Sequence, residues 1–348
     1  MLNFSEFKDY VQMTLAEVLP DELKDAQIRL NEVEKNNGLI LHGLTVTPKG
    51  SNIAPNVYLE GYFKKYEQGE DLADVMNMIA HTVVANIKAP EEFGTIAKDF
   101  MNFEFVKDKI VMVAVNAERN ANLLAQVPHQ NREDLALIYK VVLGTNADGM
   151  ASITIRNEHM SFWGVTADQI HELAMVNTRE ILPVSVQSMN EIMREMFSKD
   201  GMPDDMAQLM FEEMPPTQQM YVISNSAKMN GAASMFYEDA LSSLSEKLGT
   251  DLYILPSSVH EVIAVSTDMG TPESLSEMVR EVNGSQVSAE EQLSDHVYRF
   301  DAASKKLSLA DTSMEEIKKA AGAEMDHVAT EAATEAATEG SRPRHSHR

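Results

Sequence analysis

The stretch Leu255–Val265, "LPSSVHEVIAV", sets two serines, a histidine and a glutamate in a short apolar frame. Those residue types are what a serine hydrolase or a metal site uses. A hydrolase would take Ser257 or Ser258 as nucleophile and His260 as its base. A metal site would need His260 and Glu261 to face one ion, yet neighbours on a strand point to opposite faces. On a helix, a zincin requires a second histidine four residues on, where Ala264 stands. "HELAM" fails in the same way, with Met175 four residues after His171. A nucleophile elbow requires Gly-x-Ser-x-Gly, and "LPSSVHE" contains no glycine. Pro256, Ser257 and Ser258 suit a turn, because proline fixes φ and the hydroxyls satisfy loop backbone groups. The reading is therefore a turn with no catalytic residue, no metal and no cofactor. A Ser257 or Ser258 hydrolase with His260 stands as the alternative.

Other fragments are weaker. "NSAKMNGAASMFYE" has Lys228 near Gly231, but it lacks Gly-Lys-Ser/Thr and reads as close strand–helix packing rather than a phosphate loop. His42, His81, His129 and His159 are scattered, and each alone reads as a surface or partly buried polar residue. Methionine is more informative. It recurs at 189, 193, 196, 202, 206, 210, 214 and 220, often at helical spacing, with Pro203 and Pro215-Pro216 as breaks. Methionine-rich surfaces re-pack around varied partners. Met193, Met196, Met206 and Met210 are thus the expected contacts for a protein partner, against the plainer reading of a helical core stripe.

The elements that would position these residues follow from caps, turns and periodicity. Asn3 and Glu6 form a capping box opening a helix that Pro20 closes. "AQIRLNEV" and "LILHGLTV" flank "EKNNG", a hairpin signal. Helices are expected from about Val57 to Ile87, broken at Gly69. "KIVMVAV" reads as a buried strand, and "DLALIYKVVLG" pairs with "MASITIRN" across "TNADG". Thr166 and Gln169 form a second capping box. From Met220 the order is strand, helix (about Ala232 to Leu248), two strands, helix (Pro272 to Val282) and strand, the order of a ferredoxin-like split βαβ unit. The fold class is α+β, with mixed or antiparallel sheets and packed helices. The expected division is a hairpin-and-helix part over 1–108, a mixed α+β part over 109–310 holding the Met-rich 189–220, and a disordered tail over 320–348. The "EAAT" repeat of that tail has nothing large to bury.

Composition bounds the function. The 348 residues carry 54 acidic and 29 basic side chains, a formal charge of −25. That field repels phosphate backbones and anionic lipid, so neither nucleic acid nor membrane is an expected partner. The absence of cysteine excludes disulfides and thiolate chemistry. With Glu6, Lys8 and Asp9 interrupting the first apolar stretch, a cytosolic protein is expected.

"NNGLILHGLTV", "SNIAPNVYLEGYFKKYEQG", "LPSSVHEVI" and "MVREVN" resemble a domain family of unknown function from anaerobic gut bacteria, over roughly residues 1–310. "WGVTADQIHELAMVNT" is similar to a second bacterial family of unknown function. The resemblance implies a bacterial cytosolic origin and a shared fold, and it carries no mechanism. The leading expectation is a non-enzymatic protein that docks a protein partner. The alternatives are the hydrolase above and an acidic mimic of nucleic acid that occupies DNA-binding proteins, although the long acidic stripes of such mimicry are missing.

Overall fold

Local signals set the N-terminal part. Asn3 Oδ1 accepts from the Glu6 N–H at 3.0 Å while Glu6 Oε2 accepts from the Asn3 N–H at 2.9 Å. This capping box starts helix α1, Phe4–Val18. The computed structural model describes residues 1–49, 55–87, 99–146, 149–199, 201 and 215–310. β1 (Gln27–Glu34) and β2 (Ile40–Thr47) form the expected antiparallel hairpin. Its tip puts Asn37 at φ 60° and Gly38 at φ 67°, the left-handed region that Asn-Gly tolerates best. The segment after Pro55 departs from expectation: Asn56–Tyr58 is a short strand, β3, pairing with β2. The helical run begins only at Glu60, giving α2 (Glu60–Glu67) and α3 (Leu72–Ile87). An open β2 edge drew these residues into the ladder, overriding their local pattern. Gly69, at φ 101°, separates the two helices as expected. α1 and α3 cover this three-stranded sheet through Phe7, Val11, Leu15, Leu44, Ile79 and Val83.

The rest of the described chain builds a second, larger core with smaller clusters beside it. β4 (Ile110–Asn116) is buried throughout, and it pairs antiparallel with β6 (Leu135–Asn146). On the other side β6 pairs with β5 (His129–Arg132) and then with β7 (Gly149–Thr154). The Ala167–Ile181 helix, capped by Thr166 and Gln169 as read from sequence, packs on this sheet. Thr178 Oγ1 there accepts from the Met112 N–H at 2.9 Å, which satisfies the outer edge of β4.

A six-stranded sheet follows, in the order β13-β12-β10-β11-β9-β8. Its strands are β8 (Val184–Ser188), β9 (Tyr221–Asn225), β10 (Leu252–Leu255), β11 (Val262–Ser266), β12 (Tyr298–Asp301) and β13 (Lys306–Leu309). All its pairings are antiparallel. β9 and β10 flank β11, and β11 and β12 flank β10, so the split βαβ unit occurs twice in overlap. The helix expected from Ala232 begins only at Glu238, because Gly231–Phe236 is a 3₁₀ turn ending in extended backbone at Tyr237. The Glu238–Leu248 helix buries Leu241, Leu244 and Leu248, and the Pro272–Ser285 helix buries Leu275 and Val279 on the opposite face of the sheet. Between the sheets, Asp134 accepts from the Tyr298 hydroxyl and, at 2.6 Å, from Ser294 Oγ. Burial, reinforced by that carboxylate, raises the Tyr298 pKa and keeps its hydroxyl a donor.

The hairpin tip joins the two cores. Asn36 Nδ2 donates to Glu290 O at 2.7 Å, and Asn37 Nδ2 donates to Ala289 O (2.8 Å) and Gln292 O (2.7 Å). The Asn37 N–H donates to Asn120 Oδ1 at 2.9 Å, and Asn120 Nδ2 returns a bond to Asn37 Oδ1 at 3.0 Å. Asn37→Ala removes side-chain bonds to two backbone carbonyls and the residue type that tolerates positive φ. A loss of about 2 kcal/mol is expected. Chemical denaturation measures it, and hydrogen exchange should show protection lost at residues 289–292 before the α1–α3 core.

Candidate functional site

"LPSSVHE" forms the connection between β10 and β11, held on both flanks. Pro256 O and Ser257 O accept from the Ser294 and Leu293 N–H groups at 2.9 and 3.1 Å. The Val259 N–H donates to Glu291 O at 2.8 Å. On the other side, His260 O accepts from the Gly231 N–H at 3.0 Å and from Ser224 Oγ at 2.7 Å. Ser258 is buried, and its Oγ accepts from the His260 N–H at 3.0 Å, closing a turn of the kind serine favours.

The His260 ring turns away from both serines. Its Nδ1 accepts from the Asn230 N–H at 3.2 Å, so the neutral ring carries its proton on Nε2. Nε2 lies 3.4 Å from Glu291 Oε1. The carboxylate facing His260 thus comes from a loop 31 residues on, not from Glu261, its chain neighbour; both residues lie in the turn before β11 rather than on the strand that the sequence reading considered. Asn230 and Lys228 hold left-handed backbone at φ 52° and 54° in a turn organised by Asn225, whose Oδ1 accepts from Ala227 and Met229 N–H. Gly231 sits where chains touch: a Cβ there would lie 2.2 Å from Ser224 Oγ and 2.6 Å from His260 O. This is the close packing expected of it.

His260 lines a cleft of about 590 Å³ between the two cores. The floor is one face of the four-stranded sheet, with Val113, Val115, Ile138 and Lys140. The hairpin tip supplies one wall through Lys35 and Asn36, and Glu290, Glu291 and His260 supply another. Lys140 is the residue that sequence reasoning passed over. It is the one charge in the otherwise apolar run "LALIYKVVL", and that interruption was its signal. Burial lowers its pKa, repulsion from Lys35 adds to the effect, and Glu290 partly opposes it.

His42, His81, His129 and His159 do not converge on this cleft. His42 Nδ1 pairs with Glu60 at 2.9 Å, His129 Nδ1 lies 3.0 Å from Val127 O, and His159 packs on Phe100 and Trp163. His81 is exposed on α3. Among the described residues no group of three or more His, Asp or Glu could hold a metal ion, and no helix is long and apolar enough to cross a membrane.

A second region lies at the sheet's β8 edge. Met189–Lys199 forms a helix directly after β8, and none of its residues is buried. Ser188 and Glu191 cap it reciprocally: Glu191 Oε2 accepts from the Ser188 N–H at 2.7 Å, and Ser188 Oγ accepts from the Glu191 N–H at 3.2 Å. Ser188-x-x-Glu191 is a legible capping box that the methionine pattern overshadowed. Ile192, Met193 and Phe197 are half-buried, while Met196 is 60% exposed. Val184 and Val186 on β8 are 40% and 36% exposed. Met206 and Met210 lie outside the described residues.

The model of the family of unknown function DUF5688 matches residues 4–302. No curated protein and no solved structure matches the chain.

Two outcomes test this geometry. Gly231→Ala drives a Cβ into backbone and a buried serine, so a loss on the order of 3 kcal/mol is expected in urea denaturation. Glu191 is held below the usual carboxylate range, chiefly by the Ser188 N–H bond and then by the Ser188 hydroxyl, against the opposing effect of burial. A depressed carboxyl stabilises above its unfolded pKa and loses that contribution as pH falls through the folded value. Acidification into that range should release exchange protection in the Met189–Lys199 helix, and Glu191→Ala should do so at neutral pH.

Proposed function

We propose that this chain, which belongs to the DUF5688 family of unknown function, is a bacterial cytosolic interaction protein that docks a protein partner along the margin from Val184 to Lys199. One observation carries the reading: this helix is capped and amphipathic, yet it buries none of its residues while following an edge strand with exposed valines. A preformed helix costs a partner little ordering entropy, and exposed methionine adapts to the shape it meets. Met193 and Met196 are the proposed contacts; Met206 and Met210, expected from sequence to meet the same partner, lie outside the described residues. The charge of −25 favours a partner with a basic rim and speeds its approach.

The hydrolase alternative has less support, since the His260 ring addresses Asn230 and Glu291 and leaves Ser257 and Ser258 without a base. The nucleic-acid mimic rests on net charge alone.

Photo-methionine incorporated in the native host should cross-link at 193 or 196 to one protein, with capture surviving moderate salt. Met193→Ser with Met196→Ser should weaken that capture by about tenfold at unchanged melting temperature. Undiminished capture by the double variant would sink the docking surface. Salt-sensitive capture of DNA-binding proteins would favour the mimic instead.

A further inference from the structure

We infer that the cleft between the hairpin tip and the four-stranded sheet is a binding site for a small organic anion, a phosphate or polycarboxylate, received by Lys140 and Arg156 with the Thr154 hydroxyl between them. The strand register places these groups. Lys140 on β6 stands directly opposite Thr154 on β7, and the ladder continues through the Ile155 N–H to Tyr139 O at 2.9 Å. Arg156 therefore shares the Thr154 face and is the diagonal neighbour of Lys140, roughly 7 Å away at the backbone and within reach of two long side chains. All three residues line the cleft.

The carboxylates of the cleft are already engaged. Glu290 lies 3.7 Å from Lys35 Nζ. Glu291 faces His260 Nε2 at 3.4 Å and accepts from Ser288 Oγ at 2.9 Å. Glu34 accepts from Asn122 Nδ2 at 3.4 Å. Lys140 differs: among the described residues it has no ion pair and no hydrogen bond, although it sits on an apolar floor. Arg156 spends one donor on Gln126 Oε1 at 2.6 Å and keeps others free to turn inward.

An unpartnered ammonium on an apolar floor is costly unless an anion joins it, and burial is what makes such an anion bind firmly. The burial and Lys35 repulsion that disfavour the Lys140 charge would both be relieved by a bound anion. The volume of about 590 Å³ suits a metabolite-sized molecule.

The test uses the full chain in calorimetric titration with sodium phosphate and with citrate, against sodium chloride at matched ionic strength. Saturable binding of at least one probe is expected, weakened by about tenfold in Lys140→Met and in Arg156→Met. Phosphate alone would assign a phosphorylated ligand, and citrate alone a polycarboxylate. Lys140→Met removes an unpaired buried charge while keeping an apolar chain of similar length, so its melting temperature should not fall. Should Arg156→Met lose a cooperative melt, Lys140→Met decides by itself. Non-saturable heats for both probes, or wild-type affinity in Lys140→Met, would overturn the site.

Discussion

The tip of one hairpin holds the molecule's two cores in register. Asn36 and Asn37 reach across to the carbonyls of Ala289, Glu290 and Gln292, and Asn120 closes the network from the four-stranded sheet. Loop 289–293 has no neighbouring strand to donate to these carbonyls, so the bonds must come from side chains. Asparagine answers that need from a position where its own backbone turns left-handed. Arg119 adds a second tie, donating to Gln292 Oε1 at 3.0 Å and pairing with Asp295. Asn116 Nδ2 also donates to Leu293 O at 3.0 Å. Two segments far apart in sequence, 36–37 and 116–120, thereby converge on one loop.

The cleft is a by-product of that junction. The tip meets the loop at its end, and Lys35 and Glu290 stand over the part of the sheet face that carries Lys140. Lys140 then lies on an apolar floor beneath Lys35 and Glu290. Residues from the first hairpin, from β6 and β7, and from the β10–β11 connection all reach the same space, so a ligand there would report on how the two cores sit together. The His260–Glu291 pair belongs to the same wall, and it ties the β10–β11 connection to the loop that the hairpin grips.

The β8 margin follows a different logic. Elsewhere the six-stranded sheet is covered by the Glu238–Leu248 helix, which buries Leu241, Leu244 and Leu248, and by the Pro272–Ser285 helix, which buries Leu275 and Val279. The Met189–Lys199 helix is set by its cap rather than by burial, and its apolar side chains stay partly in solvent. Helical periodicity alone does not separate these cases, because both faces look amphipathic from sequence.

Much of this architecture was legible in the residues themselves. Capping at Asn3–Glu6 and Thr166–Gln169, the Asn-Gly hairpin, the buried β4 run and the β6–β7 pair depend on contacts a few residues apart, which sequence order dictates. The short strand β3 and the late start of the Glu238 helix were misread, since a neighbouring strand edge in one case and the packing of Gly231 against Ser224 and His260 in the other overrode local preference. Side-chain types alone settled the chain's strongly acidic balance and the lack of cysteine chemistry, whereas strand alternation did not apply to His260 and Glu261, which lie in the turn before β11. That His260 instead meets Glu291, that Asn37 grips a loop some 250 residues away, and that a cleft opens over Lys140 and Arg156 were decided only by tertiary structure. Such pairings arise where separate elements stack, and neither residue type nor spacing encodes which distant surfaces will meet.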